Sequence, residues 1–201
     1  GLGVAGAWYI DDRTTLTGVV SVANADRQDF GDIGEGDFYK GIEFAFKVAP
    51  KTPKAGYSKF TLWHTDGTSD GKAINGNTGR DGWGWVYKHE QELTEDGRTI
   101  MILKYGKSYD DSALYDQQAG ASLLLFEPFG PGLQNDLFGA AFNWGDATDG
   151  VRDEYNLEFF YRFPVFPLVD LTLSYQWVID PALDLGIDDA SVFSLRIRTT
   201  F

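Results

Sequence analysis

Polarity changes at nearly every residue through most of this chain, and no other feature restricts its fold as strongly. In "VDLTLSYQWVID" at 169–180, one parity holds Val169, Leu171, Leu173, Tyr175, Trp177 and Ile179. The other parity holds Asp170, Thr172, Ser174, Gln176, Val178 and Asp180. Successive side chains of a strand point to opposite faces, so this segment is a ribbon with one oily and one polar side. "EYNLEFFYRF" at 154–163 repeats the pattern, with Tyr155, Leu157, Phe159, Tyr161 and Phe163 against Glu154, Asn156, Glu158, Phe160 and Arg162. "FGAAFNW" at 138–144 and the closing "DASVFSLRIRTTF" at 189–201 do the same. Further alternating runs lie near 2–10, 14–25, 38–48, 57–65, 83–93, 99–106 and 117–127. The count is about eleven strands, with no helical period between them.

The links between these runs alternate in kind. One set is tight: 11–13, 49–56, 93–98, 127–132 and 163–167. The other set is generally longer and rich in acid: 25–37, 65–82, 108–116, 146–153 and 180–189. Strands joined in sequence as hairpins run antiparallel, so all the tight turns fall at one end and all the acidic loops at the other. A soluble sandwich has no need of that sorting. A transmembrane barrel does, with short turns on the periplasmic side and longer loops outside. The aromatic residues agree: Trp144, Tyr155, Tyr175, Trp177, Phe142 and Phe201 all fall on the apolar parity, as the interfacial girdles of a barrel wall require.

Bulk composition is compatible with this and excludes other classes. The longest apolar run, "LLLF" at 123–126, is far short of a spanning helix, which leaves strands as the only way to cross a bilayer. A formal net charge of −13 argues against nucleic acid as a partner. There is no cysteine, hence no disulfide framework and no thiolate metal site. A length of 201 residues is enough for one domain, and residues 1–201 are expected to form a single transmembrane barrel domain.

If one parity faces lipid, the other faces water, and it nominates Glu43, Lys88, Glu90, Lys104, Gln118, Glu154, Asn156, Glu158, Arg162, Gln176, Arg196 and Arg198 as channel-lining residues. Amides, carboxylates and guanidinium forks suit neutral solutes studded with hydroxyls, provided binding is weak enough to release them. The competing reading is that Glu158, Arg162, Arg196 and Arg198 pair across strands and stiffen the wall. Catalytic motifs are poor. "HEQE" at 89–92 has the wrong spacing for a zinc protease, and there is no nucleophile elbow or P-loop. No enzyme activity and no cofactor are expected. The acidic stretches at 31–37 and 66–71 miss the EF-hand spacing and read as solvated loops, although a divalent cation bridging them to lipopolysaccharide phosphates fits the same chemistry. The alternative from another class is a soluble all-β carbohydrate-binding module or glycosidase, with tryptophans as sugar platforms and acid pairs as catalysts.

The last fifty residues carry a resemblance. "RDEYNLEFFYRF", "VDLTLSYQWVIDP" and "DASVFSLRIRTTF", preceded by "DLFGAAFNWGD", resemble the closing strands of the OprB-type carbohydrate-selective porins. The likeness covers about a third of the chain; the rest matches in rhythm and loop placement. It implies a 16-stranded antiparallel barrel in the bacterial outer membrane, with termini on the periplasmic side, that passes sugars by diffusion. It also implies that the terminal aromatic is an assembly signal, with Phe201, Ile197, Leu195 and Phe193 facing lipid and Arg196 and Arg198 facing the lumen. Self-association into homo-oligomers is compatible with such a wall.

About eleven strands fall about five short of that barrel. An open sheet leaves backbone groups unsatisfied in hydrocarbon, and the first run shows no proline, lysine or inward charge to protect an edge. The expectation is therefore the C-terminal part of a barrel, completed by a missing N-terminal portion or a second polypeptide. On that expectation the first and last strands do not pair with each other; the alternative is a strand count off by one and a chain that closes alone into a small barrel.

Overall fold

The computed structural model describes residues 2–24, 33–48, 54–68, 78–130, 135–148, 152–182 and 184–200. Eleven strands form one sheet: β1 Gly3–Tyr9, β2 Thr14–Val22, β3 Phe38–Val48, β4 Gly56–Thr65, β5 Gly82–Glu92, β6 Thr99–Ser108, β7 Tyr115–Phe126, β8 Leu137–Ala147, β9 Asp153–Phe166, β10 Val169–Ile179 and β11 Asp189–Thr199. Every strand pairs antiparallel with its neighbours in sequence, in the order β1 through β11 without a crossover. Among the described residues β1 pairs only with β2 and β11 only with β10, so the two ends of the sheet do not meet. The only helical element described is a single 3₁₀ turn at Ile33–Glu35, and none is long enough to cross a membrane.

The register holds the two parities apart across the whole sheet. Residues directly opposite share a face, so one row runs Trp8, Leu16, Phe44, Phe60 and Tyr87 across β1 to β5. The row on the other face, one residue along, runs Ala7, Thr17, Glu43, Thr61 and Val86. At the other end, Phe163, Leu171 and Ile197 form an apolar row beside the polar row Arg162, Thr172 and Arg196. Among the described residues the buried apolar set is only Val22, Ala45, Leu137 and Ala147. A water-soluble domain of this length would bury far more, because sheltering apolar area is what stabilises it. Here Phe44, Phe60, Phe142, Phe159, Leu173 and Trp177 stay exposed instead.

The tight turns close with local hydrogen bonds. Asp11 Oδ1 accepts from the backbone N–H groups of Arg13 and Thr14, both at 2.7 Å. The Arg13 N–H leads in holding the Asp11 carboxyl below its ordinary value. The β5–β6 turn reverses over Thr94 to Gly97, where Gly97 takes φ 69° and its N–H donates to Thr94 O at 3.1 Å. The sequence places the next-to-last turn at 163–167, but β9 runs on to Phe166 and the chain reverses over Pro167 and Leu168. Pro164 is carried within β9 beside a register shift between Val169 and Asp170, a place where a strand tolerates a missing N–H. At the loop end, the Arg152 guanidinium donates to the carbonyl oxygens of Pro181, Asp184 and Ile187, which ties the β10–β11 loop to the β8–β9 loop.

Candidate functional site: the polar face of the sheet

All the charged and amide residues singled out from the sequence share one face. Their pairings link Glu43 to Thr61, Lys88 to Lys104, Glu90 to Ile102, Gln118 to Gly145, Asn143 to Asn156, and Glu158 to Gln176. Arg162, Arg196 and Arg198 follow in β9 and β11, with Thr172 and Asp170 of β10 directly opposite. The opposite face carries Phe193, Leu195 and Ile197, which are 79%, 64% and 65% exposed. Phe201 lies outside the described residues.

Lys59 was missed in the sequence reading. It stands directly across from Lys88, which stands across from Lys104, so three cations line up over adjacent strands. Such neighbours repel unless countered. Glu43 lies 3.2 Å from Lys59, and Glu90 lies 2.6 Å from Lys88. Lys104 instead lies flat across Gly120, where a Cβ would come within 2.5 Å of its Cε. Two aromatic side chains use the same device on this face. Trp63 covers Gly84, and Phe160 covers Gly139 so closely that a Cβ there would sit 2.1 Å from the ring. Large side chains thereby lie along the sheet instead of standing out from it.

Two recesses open on this face. One, of about 260 Å³, is lined by Lys104, Gln118, Asn143, Asn156, Glu158 and Gln176, with Tyr115 and Glu154 at its loop-side edge. Glu154 accepts hydrogen bonds from the Tyr115 hydroxyl and the Ala182 N–H, both at 3.0 Å. The other, of about 340 Å³, is bounded by Glu158, Phe160, Arg162, Thr172, Ser174, Ser194, Arg196 and Arg198. The competing reading, in which Glu158 pairs with these arginines across strands, finds no such ion pair among the described residues. Register puts Gln176 beside Glu158 and Thr172 between Arg162 and Arg196, and no ion pair forms at any of the three arginines among the described residues.

A larger hollow of about 690 Å³ lies mainly on the apolar face, where Gly6 and Gly18 stand opposite each other with no neighbour within 4 Å of either Cβ position. At its loop end Lys40 donates to both oxygens of Asp66, at 2.8 and 2.9 Å. Burial pushes the Asp66 carboxyl up, but the Lys40 ammonium and the Phe38 N–H outweigh it and hold the group below its ordinary value. His64, Asp66 and Asp81 bring potential metal-ligand atoms within 4.8 Å of one another. The Lys40 ammonium already occupies the Asp66 carboxylate there.

A profile of the carbohydrate-selective porin family OprB matches residues 23–201. The chain belongs to the OprB family of carbohydrate-selective porins. Its fold is similar to that of OprB from Pseudomonas putida, solved at high pH, with a TM-score of 0.77 over 99% of this chain at 16% identity. The chain spans 58% of that solved chain, so the eleven-stranded sheet corresponds to part of a porin barrel. No curated protein matches it. The family assignment thus extends the resemblance of the closing strands to nearly the whole chain, back to the loop before β3.

Proposed function

We propose that the polar face of this sheet lines a water-filled channel across the bacterial outer membrane, through which sugars and other small hydrophilic solutes diffuse, and that the apolar face meets lipid. The observation that carries this is the segregation of side chains between the two faces of the sheet. Bulky apolar groups are exposed on one face, while Glu43, Lys59, Lys88, Glu90, Lys104, Glu158, Arg162, Arg196 and Arg198 gather on the other. Exposed Phe, Leu and Trp are costly in water and favourable in hydrocarbon. On this reading the tight turns are periplasmic and the acidic loops external. The free edges of β1 and β11 are covered by further strands, from the remainder of the barrel or from another polypeptide. The site's chemistry suits transit: its carboxylates accept hydrogen bonds from hydroxyls, and its amides both donate and accept.

The assembled channel in a planar bilayer should conduct ions, and glucose should reduce that current. Replacing Arg196 and Arg198 together by Ala should change conductance or sugar block while the barrel still assembles. A purified, correctly assembled protein that never conducts would refute the proposal.

A further inference from the structure

Within the two recesses that share Glu158, charge is distributed unevenly. The larger one gathers three guanidinium groups and the hydroxyls of Thr172, Ser174 and Ser194 around a single carboxylate. Thr172 lies directly between Arg162 and Arg196, and Ser174 lies directly opposite Ser194. Adjacent strands are about 4.8 Å apart and alternate residues about 7 Å apart along a strand. Arg162 and Arg196 therefore start about 10 Å from each other, and Arg198 about 7 Å further along β11. Arginine side chains are long enough for these forks to converge over the hydroxyls between them. None of the three forms an ion pair among the described residues. Asp170 stands across from Arg198 without closing on it.

Three unpaired cations at this spacing repel one another, and that repulsion is relieved when an anion arrives. Guanidinium forks also bind carboxylates in a bidentate fashion that neutral hydroxyls cannot match. The chain as a whole carries −13, so this is a local field set into an acidic protein. The adjoining recess is different in kind: Asn143, Asn156, Gln118 and Gln176 can donate to and accept from several hydroxyls.

Resting on the reading that this face lines the channel, we infer that Arg162, Arg196 and Arg198 form an anion subsite, and that the channel favours sugars bearing a carboxylate, the aldonic and uronic acids, over neutral ones. The carboxylate sits on the guanidinium forks with Thr172, Ser174 and Ser194 beside it, and the hydroxyls extend past Glu158 toward Gln176 and Asn156. Glu158 and Asp170 border the site and oppose a doubly charged phosphate more than a singly charged carboxylate. The open, hydrated face keeps binding weak enough for release.

The test is current block of the assembled channel by glucose and by glucuronate at matched, low ionic strength. Glucuronate should half-block at about one tenth the glucose concentration, the scale of one added charge-assisted contact. Raising the salt should shrink that ratio. Arg196→Gln should lower the ratio, and the triple variant Arg162→Gln, Arg196→Gln, Arg198→Gln should bring it close to one. Equal block by the two solutes in the unaltered channel would overturn the inference and leave the porin reading standing. An undiminished glucuronate preference in either variant would overturn it as well. An assembled protein without conductance would instead remove the channel reading and the inference with it.

Discussion

Placing an arginine at Leu173 should damage this protein far more than placing one at Gln176, three residues along the same strand. Both positions are central in β10, Val169–Ile179, and the two side chains face opposite ways. Leu173 is 49% exposed on the apolar face, flanked by Tyr161 and Leu195. A cation placed there faces hydrocarbon near the middle of the membrane, at a cost of about 2–4 kcal/mol. That corresponds to about a 30- to 1000-fold fall in the ratio of folded to unfolded protein. Gln176 stands directly across from Glu158 and from Val192 on the polar face. Arginine there gains an opposite-charge neighbour worth about 0.2–1 kcal/mol and stays in water. The assay is urea-dependent folding into lipid vesicles, with the unaltered protein, Leu173→Arg and Gln176→Arg measured side by side. Equal losses for the two variants, or a larger loss for Gln176→Arg, would refute the assignment of the two faces to lipid and water.

The Asp66 carboxyl should titrate below its ordinary value of 3.8. Its link to Lys40 is then fully present above that pH and is lost as the pH falls through the lower, folded value. In Lys40→Met the midpoint should rise, since burial then acts with less opposition, and an unchanged carboxyl ¹³C titration would contradict the ion pair. Gly139→Val should cost about 1–3 kcal/mol by forcing the Phe160 ring off its seat. A thermodynamic cycle with Phe160→Ala should show coupling; if the two losses simply add, the ring does not rest on Gly139.

Most of the fold was legible because a sheet wetted on one side and oiled on the other must alternate at every residue. β10 and β11 show this with few exceptions, Val178 and Val192 on the polar parity and Ser191 and Thr199 on the apolar one, so their faces follow from parity. β4 is harder to read: its polar face holds Trp63, which hides the alternation and with it the role of Lys59. Only the structure shows that Trp63 lies over Gly84, a contact set by a neighbouring strand. Pro164 marks a turn in the sequence, yet the chain absorbs it at a register shift and turns later. The state of the arginines was not legible either. Parity puts Glu158, Arg162, Arg196 and Arg198 on one face, but whether they pair depends on register between strands, and register sets Gln176 and Thr172 in the intervening positions.

The unbroken order of β1 to β11 has a consequence for how such a wall is made. Among the described residues each strand hydrogen-bonds only to the strands just before and after it in sequence, so each pairing step closes a short loop and costs little chain entropy. The exception in any closed barrel built this way is the seam, where the last strand meets a strand from the far end of the wall. The entropic cost of a long closure is then concentrated in that single junction, while every hairpin before it can form locally. A wall of this kind grows or shortens by whole hairpins without disturbing the pairing of those already in place, much as a repeat array does. Similarity of fold can therefore extend along the wall, strand after strand, long after identity of sequence has faded.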